Sequence, residues 1–249
     1  TKNIKAFSKE SFISINNIFF GALVFSVMLG VTYPLIYEYL YDQKISVGAP
    51  FYNAIFVPIV VTACLFLFFS IDSKWQRTIK LPFFGGPTIY SSLLAVGSTL
   101  LSMHSFAIES VSIIISLFAG FLLIYRYLIE ISISLLKKKY LNPFSAVAHF
   151  SLGLLIISIA LNSILSNERA INIKINESEI YKDLNIFFQD IRVVNNSNHD
   201  AIKASFVIKD IDSNSFILSP EKRKYFTRGQ ITTETAIHVT FLRDIYLTI

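Results

Sequence analysis

Five long apolar stretches, separated by short polar connections, constrain the fold of this chain more than any other feature. They cover about residues 15–35, 51–71, 88–104, 106–129 and 144–165. A transmembrane α-helix needs roughly 20 apolar residues, and backbone groups in lipid must find hydrogen-bond partners within the protein. The third stretch is weaker because it is rich in serine and glycine. Residues 1–165 are therefore predicted to form an α-helical transmembrane bundle of about five helices, with ends or kinks at Pro34 and Pro58.

The composition supports a membrane protein and excludes several classes of function. Hydrophobic residues make up 53% of the chain and charged residues 16%, whereas soluble domains carry about a quarter charged residues. The one cysteine, Cys64, excludes an internal disulfide and a thiolate zinc site or iron–sulfur cluster held by this chain alone. The net charge of +5 lies in short groups between apolar stretches, so we expect no nucleic-acid partner.

The distribution of basic residues predicts an orientation in the membrane. Positive charge is concentrated before the first stretch, between the second and third, and between the fourth and fifth, at Lys2, Lys5, Lys9, Lys74, Arg77, Lys80, Lys137, Lys138 and Lys139. Cytoplasmic connections carry an excess of lysine and arginine. We therefore expect a multi-pass protein of the bacterial inner membrane, or alternatively of the mitochondrial inner membrane, with the amino end inside and residues 166–249 outside.

Residues 166–249 differ in character from the rest of the chain. From Asn167 onward there are 11 basic and 11 acidic residues, and apolar and polar side chains alternate over 171–175, 186–194 and 201–208. This period of two predicts a small antiparallel β-domain on the outer face, periplasmic in a bacterium. The chain begins without methionine and ends inside an apparent strand, so we expect a fragment or a processed product.

Several short segments resemble segments of one known family, in the same order. They are Leu29–Pro34 (LGVTYP), Ile45–Asn53 (ISVGAPFYN), Ala148 and His149 with Gly153, Pro220–Arg223 (PEKR), Thr233–Ile237 (TETAI) and Arg243–Tyr246 (RDIY). With the alternation of apolar stretches, basic connections and a β-domain, they make the chain resemble the carboxy-terminal portion of CcmF, the haem lyase subunit of cytochrome c maturation. The resemblance covers essentially the whole chain.

The resemblance implies a function, a cofactor and partners. It implies a subunit that holds a haem b in the membrane and helps to attach haem covalently to the CxxCH motif of apocytochrome c, as part of an enzyme complex rather than alone. It implies His149 as an axial ligand of the haem iron, with the second histidine ligand outside this sequence. Implied partners are haem, apocytochrome c, a CcmH-type thiol protein, a CcmE-type haem chaperone, quinol and the lipid bilayer.

The residues around His149 leave two interpretations open. An imidazole about two turns into an apolar helix is costly unless both ring nitrogens have partners. Haem iron is one such partner, and the small residues Ser145, Ala146 and Gly153 on the same face leave room for a flat macrocycle. Alternatively, the histidine bonds a neighbouring helix and the small residues pack helices together.

Other charged and polar residues also have two interpretations each. Arg126 extends to the inner interface or pairs with a haem propionate. The segment Ile45–Asn53 is a helix-start turn or the outer lip of a haem or quinol cavity, with Gly48 allowing an unusual backbone turn. The basic residues near Glu221 lie on a solvated hairpin or meet propionates, an acidic partner or lipid headgroups. His104, His199 and His238 are expected to be interfacial, solvated and structural, respectively, with no catalytic residue identified.

Two functions of different classes compete at this point. The first is the haem lyase subunit that the resemblance implies. The second is a non-catalytic, membrane-anchored scaffold for an assembly complex, which needs no haem at His149. A small-solute transporter is disfavoured, because the five stretches show no internal repeat of the kind that transporters use.

Overall fold

The structure is a computed structural model that describes residues 8–43, 45–75, 85–137, 143–210, 214–227, 231–241 and 243–249. Among the residues used above for orientation, Lys2, Lys5, Arg77, Lys80, Lys138 and Lys139 lie outside this described part. The chain divides into two compact units, the first ending at Asn167 and the second comprising Glu168–Ile249. The first is helical and the second is a β-domain.

The described part of the first unit contains five helices. They are α1 (Lys9–Tyr41), α2 (Ala49–Ser70), α3 (Gly86–Phe106), α4 (Val111–Lys137) and α5 (Pro143–Leu165). Four of them, α1, α2, α4 and α5, are long and apolar enough to cross a membrane. The serine, threonine and glycine residues of α3 lower its mean hydropathy, so α3 is not among the helices that are apolar enough to cross a membrane by this criterion. The predicted fold class, a helical membrane region followed by an antiparallel β-domain, is confirmed.

The helices continue past both internal prolines. Pro34 lies inside α1 and Pro58 inside α2, so neither helix ends at its proline, and the alternative of a kink stays a prediction. A proline removes a single N–H from the helix ladder, and membrane helices tolerate it when neighbouring groups compensate. α1 extends beyond the predicted 15–35 at both ends, from a cap at Ser8 to Asp42, whose φ of 53° is left-handed.

Helix α4 lies at the centre of the first unit, packing against α2, α3 and α5. Its contact with α5 is the closest, because glycines face each other there. A Cβ added to Gly153 would lie 2.9 Å from the carbonyl oxygen of Gly120 and 2.9 Å from Cγ1 of Ile124. Small residues let membrane helices approach closely and gain van der Waals contact. The two helices therefore touch nearly backbone to backbone.

The β-domain contains two antiparallel sheets in its described part. Its strands are β1 (Ser178–Tyr181), β2 (Leu184–Asn195), β3 (His199–Asp210), β4 (Ser215–Leu218), β5 (Glu221–Tyr225), β6 (Ile231–Glu234), β7 (Ala236–Val239) and β8 (Asp244–Leu247). The larger sheet has the order β1-β2-β3-β5-β6 with β4 also paired to β3, and β7 pairs with β8. Alternate residues of β2 and β3, including Ile186, Phe206 and Ile208, form the core.

The first alternating segment of the tail, residues 171–175, does not form a strand. The prediction of a strand there is wrong, although Ile171 and Ile173 still pack against the core of the β-domain. The alternation reflects burial of one side of an extended segment, which does not require a paired neighbour.

Arg243 joins three segments of the β-domain. Its guanidinium donates to Asp183, in the turn between β1 and β2, and to Asp210 at the end of β3, the latter at 2.7 Å. The hydrogen bond from Arg243 holds the pKa of Asp183 below the ordinary value for an aspartate. The β7–β8 hairpin is thereby tied to the larger sheet by charge-assisted hydrogen bonds.

We expect Arg243→Gln to lower the thermal midpoint of the β-domain by a few degrees at about pH 7 and by less at about pH 3. A carboxylate whose folded pKa is depressed contributes stability above its unfolded pKa and loses it as the pH falls through the folded pKa. The measurement is circular dichroism of the intact chain at both pH values. Arg192→Gln is the control, because Arg192 pairs with Asp190 on its own strand and joins no segments. Equal losses at both pH values would contradict this assignment.

Candidate functional site

The imidazole of His149 has one nitrogen engaged and one available. Its Nδ1 lies 2.6 Å from the backbone carbonyl oxygen of Ser145 and 3.3 Å from the Ser145 hydroxyl. A carbonyl oxygen can only accept, so Nδ1 carries the proton and donates to it. Nε2 then has a free lone pair, and among the described residues it has no hydrogen-bond partner. A metal-binding histidine typically donates the N–H of its other ring nitrogen to a carbonyl or carboxylate, which fixes the tautomer.

Tyr127 of α4 stacks on His149. The two ring centroids are 5.1 Å apart and the ring planes differ by 7°. Tyr127 is buried, with 5% of its surface exposed. Sequence reasoning did not identify Tyr127, because nothing in the spacing of α4 or α5 says which residues of the two helices meet.

Arg126, adjacent to Tyr127, is held between two carboxylates. Its Nη2 donates to Oδ1 of Asp72 at 2.8 Å, and its Nη1 donates to Oε2 of Glu130 at 3.3 Å. The side chain of Arg126 is 1% exposed and that of Asp72 is 38% exposed, so the guanidinium is enclosed and the carboxylate of the pair is partly exposed. Its Nε is buried and has no hydrogen-bond partner in the described part of the chain. The role of Arg126 toward a propionate stays a prediction.

The donor set around His149 fits a haem in two respects. The free Nε2 lone pair is suited to iron, for which histidine is a common axial ligand in haem proteins. The unpaired Nε–H of Arg126 is a buried cationic donor. Arg126 directly precedes Tyr127, so the two residues are only about 1.5 Å apart along the axis of α4. Because Tyr127 stacks on His149, the backbone of Arg126 lies at a similar level along α4, although its side chain leaves the helix about 100° away from that of Tyr127.

Two of the small residues near His149 serve helix packing instead of leaving an open slot. Ala146 is buried in the apolar core formed with α2 and α4, and Gly153 meets Gly120. The interpretation of these two positions as helix contacts is therefore the one that the structure shows. Ser145, by contrast, is exposed, so any open space beside His149 lies on that side.

The segment Ile45–Asn53 leads into α2 as expected, but Gly48 has ordinary extended geometry. Its φ of −103° and ψ of −175° are accessible to any residue, so the prediction of an unusual turn there is wrong. Tyr52 lies against Gly30 of α1, where an added Cβ would come within 2.4 Å of the tyrosine hydroxyl. Two of the segments that carry the family resemblance are thus in direct contact.

A cavity of about 310 Å³ lies between α2, α4 and α5. Most of its polar lining residues lie near the starts of α2 and α4 and near the end of α5, and most of its apolar lining lies further along the helices. The polar members include Tyr52, Asn53, Ser112 and Ser163, and the apolar members include Val60, Ala119 and Ile156. The cavity is therefore polar at one end and apolar at the other.

The remaining histidines do not assemble into a metal site. His199 bonds to Asn196 and Asn198 in the β2–β3 turn, and the ring of His238 stacks on Phe216 at 3.7 Å. His104 is exposed near the end of α3. Among the described residues, no group of three histidine, cysteine or carboxylate side chains could hold a metal ion.

The basic cluster of β5 is partly neutralised within the sheet. Glu221 pairs with Arg223 at 2.9 Å and with Lys203 of β3 at 3.3 Å. Lys222 and Lys224 alternate with these residues and are exposed, while Arg228 lies outside the described part. The resembling segment Pro220–Arg223 therefore has a structural role in joining β3 and β5.

The fold and these contacts define a multi-pass membrane protein that carries a β-domain. The CcmF C-terminal beta-sandwich family matches residues 164–249. The chain is 25% identical over 250 residues to the cytochrome c-type biogenesis protein CcmF of Pseudomonas aeruginosa, and 26% identical over 251 residues to CcmF of Escherichia coli. These alignments cover 96% and 98% of this chain. Residues 164–249 match that family model, and nearly the whole chain is similar in sequence to part of the CcmF proteins.

The chain is also similar to a solved structure, and it corresponds to only part of the length of the proteins that it matches. A structure described as cytochrome c heme lyase CcmF superposes with a TM-score of 0.65 over 96% of this chain, at 17% identity. At that identity the superposition shows a shared fold. The chain spans 38% of the length of the two curated relatives and 39% of the solved chain.

Proposed function

We propose that this chain is part of a cytochrome c haem lyase and holds a haem b in the membrane through His149. The observation that carries the proposal is the imidazole itself, with Nδ1 donating to the Ser145 carbonyl and Nε2 left free to bind iron. The relationship to CcmF over nearly the whole chain supports the same function. His149 would supply one nitrogen ligand, and the resemblance to CcmF implies that a histidine outside this sequence would supply another.

Each residue of the site has a separate task in this proposal. When bound, haem b would supply one-electron chemistry for the reduction of haem that is attached to the CxxCH thiols of apocytochrome c. His149 provides a neutral axial nitrogen of fixed tautomer. Arg126 offers its unpaired Nε–H to a propionate, while Asp72 and Glu130 keep its guanidinium in place.

The partners follow from the same proposal. Electrons enter from quinol, for which the cavity beside Tyr52 and Asn53 has suitable chemistry, with hydrogen-bonding groups at one end and an apolar interior. Ile156, which lines this cavity, lies about 10 Å along α5 from His149. The β-domain is periplasmic in a bacterial inner membrane and faces apocytochrome c, a CcmH-type thiol protein and a CcmE-type haem chaperone.

A non-catalytic scaffold is the second candidate, and one observation favours it. Ala146 and Gly153 pack helices together near His149, as they would in a membrane anchor with no cofactor. A scaffold needs no iron at Nε2, so the two functions differ in whether haem is bound.

The absorption spectrum distinguishes the two functions. The protein would be purified in its native complex from membranes, and the spectrum recorded before and after addition of dithionite. We expect a haem b Soret band that shifts on reduction and a b-type α-band. A colourless preparation with the complex intact would reject the haem lyase assignment and leave the scaffold.

A further inference from the structure

We propose that Tyr127 is a positioning residue for His149, holding the plane of the imidazole so that Nε2 points in one direction. The inference rests on the proposed function, because it assigns a purpose to that direction. It starts from the stacked geometry, a centroid separation of 5.1 Å and nearly parallel planes.

The hydrogen bond to Ser145 does not fix the imidazole by itself. A bond at Nδ1 of 2.6 Å restrains that atom, but the ring can still rock about an axis through it, and rotation about χ2 is intrinsically broad. A parallel aromatic ring against one face blocks that rocking. Because iron binds in the plane of the imidazole, along the Nε2 lone pair, a stacked ring leaves the binding edge accessible.

Tyr127 is itself firmly held, which a positioning residue requires. It is buried in the core that α4 forms with α2 and α5. Arg126, the residue before Tyr127, forms ion pairs with Asp72 and Glu130 that restrain α4. The Gly120–Gly153 contact sets the distance between α4 and α5. The histidine and the tyrosine therefore lie on two helices with a fixed spacing.

The test compares three variants of the protein in its native complex. Tyr127→Leu removes the planar ring, Tyr127→Phe keeps it, and Tyr125→Leu is a matched control on the same helix. Tyr125 contacts Ser98 at 2.6 Å and Phe121, so it points to other partners than His149. Haem dissociation into excess apomyoglobin and the electron paramagnetic resonance g-values of the oxidised haem are measured for each.

We expect Tyr127→Leu to bind haem but release it about tenfold faster, in line with the loss of other orienting groups around metal ligands. Its g-values should shift, because they report the plane of the axial imidazole. Tyr127→Phe and Tyr125→Leu should match the unaltered protein. If Tyr127→Leu fails to accumulate, Tyr127→Met replaces it, since methionine fills the volume with a flexible side chain that has no plane.

Each outcome bears on a different statement. Unaltered release and g-values in Tyr127→Leu, or in Tyr127→Met, overturn the positioning role. The positioning role is also overturned if Tyr127→Phe releases haem as fast as Tyr127→Leu, because the aromatic ring would then not be what orients the imidazole. Retention of haem in a His149→Ala variant would instead reject the proposed function, so the two failures are distinguishable.

Discussion

His149→Ala is expected to reduce the b-type haem absorbance of the native complex to baseline while the protein still inserts in the membrane. Under the proposed function, alanine removes the nitrogen that His149 would give to iron, and haem held by one histidine instead of two binds less tightly. The apolar length of α5 that drives insertion is unaffected by the change. The measurement is a dithionite-reduced difference spectrum, normalised to the amount of the protein in carbonate-washed membranes.

His104→Ala is the matched control for this experiment. His104 is also on a helix of the first unit, but it is exposed near the end of α3, which packs against α4. We expect its haem absorbance to be unchanged. A His149→Ala spectrum equal to that of His104→Ala would refute ligation by His149.

Asp72→Ala is expected to destabilise the helical unit by about 3 kcal/mol, the lower end of the range for breaking a buried ion pair. The lower end applies because Asp72 is 38% exposed, whereas its partner Arg126 is 1% exposed. Removal of Asp72 leaves a buried guanidinium that still pairs with Glu130, but at a longer distance of 3.3 Å. The thermal unfolding midpoint in detergent should fall by several degrees.

Asp72→Asn separates charge from hydrogen bonding in the same position. The amide oxygen can still accept a hydrogen bond from Nη2 of Arg126. We therefore expect the unfolding midpoint of this variant to lie between those of the unaltered protein and Asp72→Ala. An unchanged midpoint in Asp72→Ala would mean that the pair contributes nothing to stability. A midpoint for Asp72→Asn below that of Asp72→Ala would argue against the hydrogen bond as described.

The helical region was predictable from the sequence because span length and hydropathy act locally. The five apolar stretches correspond to α1 through α5, and the alternation over 186–194 and 201–208 predicted the strands β2 and β3. The errors arose where a local rule competes with its surroundings. The alternating residues 171–175 pack without a paired strand, and Gly48 has ordinary extended geometry. Pro34 and Pro58 do not end their helices, while a kink at either residue stays a prediction.

The candidate site was predictable only in part. His149 stood out as a polar residue in an apolar helix, and its small neighbours suggested either a cofactor or a helix contact. Asp72 and Tyr127 could not be found in this way, because each acquires its role from a contact with a residue on another helix. Which faces of α2, α4 and α5 meet depends on their packing angles, and no periodicity in one helix specifies the rotation of the next.

The glycine contact between α4 and α5 has a consequence for how the protein responds to its lipid environment. Helices whose apolar length exceeds the local bilayer thickness tilt to compensate, and neighbouring helices can tilt by different amounts. Two helices in contact at Gly120 and Gly153 tilt as one body. The separation between the rings on these helices would then stay constant when acyl-chain length or temperature alters the thickness of the membrane.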